Sequence, residues 1–205
     1  MYCSLSDLVA KKDMLYSPAF PGILIVRDRV ISKALLCITK KIEHGAFTLK
    51  EYPHINNGQT YYHFVPTEAL MKTGDLAVKS FVELEQLIRS KIAVRIPESE
   101  MQYGFTRYPV SMQGAAFHID FSYNGNCTIT FFFGYTSIFV AQNKNGEGKV
   151  KYGIEPGDIV IMRAPRDTSS EEIALRPIHA VSSVSEAFYA FEAREVNMIK
   201  KNLKK

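Results

Sequence analysis

His118-Ile-Asp120 and, far downstream, His179 within Arg176-Pro-Ile-His-Ala-Val181 constrain this chain more than any other feature. Two imidazoles and one carboxylate can grip a divalent metal from one side and leave the opposite coordination positions open, an arrangement that suits Fe(II). In a strand, residues i and i+2 project to one face, so His118 and Asp120 can hold the same ion. The third ligand then has to come from a strand distant in sequence and adjacent in space. A chain that uses these three residues together must fold back on itself through long-range strand pairing. No catalytic side chain beyond the three ligands stands out.

The intervening sequence supplies the strands. Thr128-Ile-Thr-Phe-Phe-Phe-Gly134 and Ser137-Ile-Phe-Val-Ala141 are β-branched and aromatic. Asn143-Lys-Asn-Gly-Glu-Gly148 reads as a hairpin turn, and Glu155-Pro-Gly-Asp158 as a second turn leading into the strand Ile159–Met162. Asp158 is accordingly a turn residue. Ile178-His-Ala-Val181 reads as a third turn-like segment, followed by the strand Ala187–Phe191. Short strands at this interval point to a sandwich or jelly roll.

The first half is patterned differently. Ser4–Leu15 reads as a short helix capped by Ser4 or Ser6, broken by Pro18-Ala-Phe-Pro-Gly22 before the strand Ile23–Val26. Apolar residues at 31, 34, 35, 38 and 42 have helical spacing, as do Leu76, Phe81, Leu84, Leu87, Ile88 and Ile92 within Ala69–Ala93. A strand over Gln102–Tyr108 follows. Helices ahead of strands give an α+β expectation, with helices buttressing a β core.

This order resembles the double-stranded β-helix of the Fe(II)/2-oxoglutarate-dependent dioxygenases over residues 100–195. The resemblance rests on His118-Ile-Asp120, Pro156-Gly-Asp-Ile-Val-Ile-Met162 and Arg176-Pro-Ile-His-Ala-Val181 in the expected order. The run Phe131–Phe139, with no long insertion before Pro156-Gly157, is most similar to the AlkB-like branch. The resemblance implies a jelly-roll core, Fe(II) held by His118, Asp120 and His179, and 2-oxoglutarate as cosubstrate. It implies an oxidoreductase that hydroxylates or demethylates a nucleic acid or nucleobase. The same chemistry on a protein side chain or small metabolite is the alternative, and a non-enzymatic β-helix protein that lost its cosubstrate site is a third.

One departure keeps that third reading in play. Many members open the last core strand with an arginine that pairs with the distal carboxylate of 2-oxoglutarate. The corresponding stretch here, Glu186-Ala-Phe-Tyr189, carries no base. Arg194 matches a second arginine of the AlkB-like pattern and is the first choice for this role, with Arg176 second and Arg107 and Arg163 behind them. A planar guanidinium suits two-point pairing with a carboxylate better than an ammonium does. Tyr103 and Tyr108, just ahead of the motif, are further cosubstrate candidates, with core packing the equal alternative. In the resembled branch the segment before the core forms a lid. Here that is Asn56–Phe64, with Tyr61 and Tyr62 able to stack on an extruded base, and Arg107, Lys50, Lys72 and Arg166 forming a basic rim. A surface loop with packed tyrosines is the plainer reading.

With 205 residues and 46% hydrophobic content, the chain can bury its core as one domain. The division is 1–99 for support and lid, 100–195 for the core, and 196–205 for a basic tail. A net charge of +4 permits a nucleic-acid partner without demanding one. Cys3, Cys37 and Cys127 contain no Cys-x-x-Cys pair, which argues against zinc-finger or disulfide frameworks. No apolar run approaches the ~20 residues of a membrane helix, and Met1–Ala10 lacks the pattern of a signal peptide. A soluble, cytoplasmic setting is therefore expected. His44, His54 and His63 belong to no such pattern and read as surface or loop residues.

Overall fold

Long-range strand pairing does organise the chain, into two sheets. The computed structural model describes residues 2–11, 22–27, 51–53, 60–66, 76–92, 99–108, 114–118, 124–133, 137–142, 148–163, 176–182 and 188–197. Along the chain these form β1 (Tyr2–Cys3), α1 (Leu5–Lys11), β2 (Ile23–Val26), β3 (Glu51–Pro53), β4 (Thr60–Pro66) and α2 (Leu76–Ile92). Next come β5 (Ser99–Tyr108), β6 (Gly114–His118), β7 (Asn124–Phe133) and β8 (Ser137–Gln142). The last four are β9 (Val150–Ile154), β10 (Ile159–Arg163), β11 (Ile178–Ser182) and β12 (Phe188–Asn197). The large sheet has the order β1-β2-β10-β7-β12-β5-β4-β3, and the small one β6-β11-β8-β9. From β5 onward the chain crosses repeatedly between them, so sequence neighbours are seldom sheet neighbours.

The inner face of the large sheet meets the small sheet in an apolar cluster. Ile23, Ile25, Phe132, Val160, Met162 and Ala190 pack there with Tyr152, Ile154 and Val181. The outer face is covered by α2. Phe81 meets Phe131 and Phe191 edge-on at 4.9 and 4.7 Å between centroids, and Tyr103 stacks on Phe191 at 5.6 Å. Aromatic pairs of this geometry add to the burial of their area.

Within that apolar layer lies one charged group of contacts. Glu85, fully buried, accepts from Arg89 Nε at 2.5 Å and from the Tyr103 hydroxyl at 3.2 Å. Arg89 also donates to the carbonyls of Cys127 and Ala193 at 3.0 and 3.3 Å. The helix is thereby tied to β7 and β12 by directional bonds as well as by packing.

Several expectations meet the structure directly. β2 spans the residues read as a strand. Ser4 caps α1, its hydroxyl accepting from the Asp7 backbone while Asp7 Oδ2 accepts from the Ser4 backbone and hydroxyl. The Glu155–Asp158 turn has Gly157 at φ +95°, and Arg27 grips the Asp158 carboxylate at 2.9 and 2.7 Å. That contact holds the Arg27 guanidinium above its ordinary pKa, chiefly through the hydrogen bond to Asp158. Ile178–Val181, by contrast, is not a turn but part of β11, paired on both sides. Tyr61 and Tyr62 belong to β4, hydrogen-bonded beside β5. The helix expected over 31–42 lies outside the described residues. Among those described, no helix is long and apolar enough to cross a membrane.

Gly22 fixes how β2 enters. Its φ is +73°, and a Cβ there would stand 2.9 Å from Arg163 Cβ and 3.3 Å from Pro177 Cδ. Gly22→Ala should therefore lower stability by about 1–3 kcal/mol. Glu85→Ala should do more, about 3–5 kcal/mol, because it strips Arg89 of its buried counter-charge. Urea unfolding midpoints at unchanged m-value test both, and a Glu85→Ala protein as stable as the parent would refute the second.

Candidate metal centre

His118 closes β6, and His179 stands directly opposite it on β11. The two strands run antiparallel, and β11 is held from its other side by β8 in unbroken register from Ile178↔Gln142 to Ser182↔Ile138. Between His179 and Val181 the pairing with β6 shifts. β6 uses three steps, from His118 to Ala115, where β11 uses two. The extra residue is a bulge on the strand that presents His118, a device that re-aims a side chain.

The two rings stand 4.3 Å apart between centroids, inclined at 56°. Two imidazoles at a right angle around one ion have centroids about 4.5 Å apart, given metal–nitrogen bonds of ~2.0–2.1 Å. The observed separation therefore fits a shared ion, and the tilt excludes parallel stacking. His179 is buried, and its Nδ1 lies 3.4 Å from the Pro177 carbonyl. A ring held by that edge presents Nε2 as its donor, the usual role of a backbone carbonyl behind a ligating histidine. His118 is exposed, so the pair has one sheltered and one open side. Asp120 lies outside the described residues, and among those described no third acidic or sulfur side chain completes a ligand set.

Strand alternation assigns the remaining candidates to faces. Ala190 belongs to the inner cluster, so Glu192 and Arg194, two and four residues on, share its face. Arg194 pairs with Thr128 on one side and Gln102 on the other, and Glu192 with Thr130 and Gly104. Thr128 and Thr130 are buried, and Arg194 Nη2 donates to Glu192 Oε1. The inner face thus has an apolar half, over β2 and β10 and reaching Phe132 and Ala190, and a polar half made by Gln102 on β5, Thr128 and Thr130 on β7, and Glu192 and Arg194 on β12. The Arg194 rung continues through Thr128 and Met162 to Ile23, next to Gly22 and hence to Pro177 at the histidine end.

Arg176 is buried, three residues ahead of His179. Tyr103 is a correction: it sits on the outer face, fully buried beneath α2 with its hydroxyl on Glu85, and has no part in an inner pocket. Tyr108 ends β5 opposite Phe188, while Arg107 lies between Thr60 and Tyr189. Lys50, Lys72 and Arg166 lie outside the described residues. Glu192, Thr128, Thr130 and Gln102 escaped the sequence reading. The available signal was the alternation of polar and apolar residues over Thr128–Thr130 and over Glu192–Arg194.

No protein-family model and no curated protein sequence matches the chain. Solved structures do. A Trichoplax adhaerens prolyl hydroxylase in complex with a hypoxia-inducible-factor peptide fragment superposes with a TM-score of 0.65 at 15% identity, over 98% of this chain and 96% of that one. The Arabidopsis thaliana dioxygenase for auxin oxidation, bound to 2-oxoglutarate, gives 0.66 at 15%, over 95% and 91%. A Pseudomonas putida prolyl-4-hydroxylase gives 0.64 at 13%, over 93% and 98%. The chain has the fold of 2-oxoglutarate/Fe(II) oxygenases.

Metal binding should follow the geometry. His118→Ala and His179→Ala should each weaken binding of Mn(II) by at least about tenfold, and Asp120→Ala likewise. His63→Ala, on β4, should leave it unchanged. Calorimetry with Mn(II) reads all four, and a His179→Ala protein that binds as tightly as the parent would sink the assignment.

Proposed function

We propose that this chain is an Fe(II)/2-oxoglutarate-dependent dioxygenase, built as a single domain around a double-stranded β-helix of β5 to β12. The observation that carries the reading is the facing pair His118 and His179, at a separation suited to one shared ion. His118, Asp120 and His179 would hold the iron. Arg194 would pair with a carboxylate of the cosubstrate, with Arg176 as the second choice. The likeness in fold to oxygenases supports the same chemistry.

With iron and keto acid bound, O₂ would be the oxidant: one of its atoms would enter succinate as 2-oxoglutarate loses CO₂, and the other would hydroxylate a C–H bond of the substrate. The chain's own part is binding and exclusion. The carboxylate of Asp120 offsets metal charge. The Pro177 carbonyl fixes the His179 ring. The threonine hydroxyls and Arg194 offer polar contacts within an otherwise apolar interior, where a bound acid is shielded from water.

The AlkB-like branch and a nucleic-acid substrate gain no support from the neighbours named above. One of those was solved with a peptide fragment, and another is named for oxidation of a small molecule. A protein side chain or a small metabolite is therefore the better account of the substrate. The open side at His118 is where such a substrate would approach.

Titration of 2-oxoglutarate into anaerobic Fe(II) protein should raise a metal-to-ligand charge-transfer band, and His179→Ala should abolish it. Succinate release should then respond to peptide or small-molecule candidates and not to single-stranded nucleic acid. A metal-loaded protein that yields no band would favour a β-helix protein without the cosubstrate site.

A further inference from the structure

The polar half of the inner face contains its own carboxylate. Glu192 accepts from Arg194, and the two side chains keep only 16% and 13% of their exposure. β12 is a central strand, hydrogen-bonded to β5 on one side and β7 on the other, so neither charge reaches solvent at a sheet edge. The neighbours on these rungs are Gln102, Thr128 and Thr130, with Gly104 opposite Glu192. An acid that pairs with Arg194 must contend with a carboxylate already there. Between like charges in a water-poor interior, repulsion is far stronger than at a surface.

We propose that Glu192 is a resident competitor for Arg194 and limits the preference of the site for dicarboxylic keto acids, an inference that rests on the cosubstrate reading above. In the absence of ligand it holds the guanidinium in place and neutralises it. A ligand carboxylate takes over that guanidinium, and Glu192 turns aside toward β5, where Gly104 contributes no side chain. Its charge still opposes that carboxylate, the one distal to the keto group. Pyruvate has no distal carboxylate and would not engage Arg194, so Glu192 narrows the advantage of 2-oxoglutarate over monocarboxylic acids.

The test is a set of binding isotherms on the full chain loaded with Mn(II), using 2-oxoglutarate and pyruvate as probes. Glu192→Gln, which keeps the shape and removes the charge, should tighten 2-oxoglutarate at least about tenfold and leave pyruvate unchanged. Glu192→Met should do the same, and it covers the case in which Gln disturbs the fold. Arg194→Gln should weaken 2-oxoglutarate about a hundredfold, and in that background Glu192→Gln should no longer help. Thermal unfolding of each variant shows whether it is folded. If 2-oxoglutarate binds the parent but Glu192→Gln leaves its affinity unchanged or weakens it, the inference is overturned while the cosubstrate reading stands. If both Glu192 variants unfold, Glu192 is a structural residue and the inference is equally overturned. If the metal-loaded parent binds neither acid, the cosubstrate reading itself has failed.

Discussion

The hydrogen bonds that hold β11 between β6 and β8 set the register on which the candidate centre depends. Because side chains alternate along a strand, a slip by one residue would turn His179 and Val181 away from the interior together. Val181 is anchored in the apolar cluster with Phe132 and Tyr152, so the slip would also expose core. Packing of one side chain therefore holds the other in place. The bulge on β6 absorbs the mismatch between the strands at the point where His118 must face its partner.

The aromatic packing under α2 and the Arg194–Glu192 pair lie on opposite faces of the large sheet. Among the described residues, the apolar contacts between the outer face and α2 enclose Glu85, Arg89 and Tyr103, which satisfy one another and the carbonyls of Cys127 and Ala193. A well-packed layer of that kind fixes the strands without involving the interior. The inner face can then carry Arg194, Glu192 and two threonines, which by themselves would weaken a sandwich core. Buried polar groups persist only where they find partners, so such a half-polar interior makes sense around a polar ligand.

Much of this was legible in the chain, for particular reasons. Ile23–Val26 is a short β-branched run closed off by glycine and proline, and it forms the strand expected of it. His118 and His179 could be paired on paper because iron chemistry limits the ligand types. Ile178–Val181 misled because proline and histidine look like turn residues, whereas strands on both sides hold the segment extended. Tyr103 misled for another reason. Alternation sorts β5 into two sets, but which set faces the small sheet depends on where α2 docks, and no local pattern states that. Glu192 was passed over because an acid and a base two apart, near the end of a strand, resemble the solvent side of an edge. Only the sheet order makes β12 central.

That same strand bears on how a cosubstrate would lie. In the resembled family an anchoring arginine often opens the last core strand, where this chain has Phe188. From Phe188 to Arg194 an extended strand covers about 20 Å. Arg194 lies on the rung that leads across the large sheet to Ile23, beside Gly22 and the Pro177 that precedes His179, whereas Phe188 opens the strand at the opposite end. A carboxylate held by Arg194 would therefore sit toward the histidine end instead of reaching the far depth of the interior. Ala190 and its partner Phe132, both in the apolar cluster, lie between the two positions. A shallow anion site next to a packed apolar floor is consistent with both the missing base at Phe188 and the presence of Glu192. At such a site the charge around Arg194 would weigh on which acid binds.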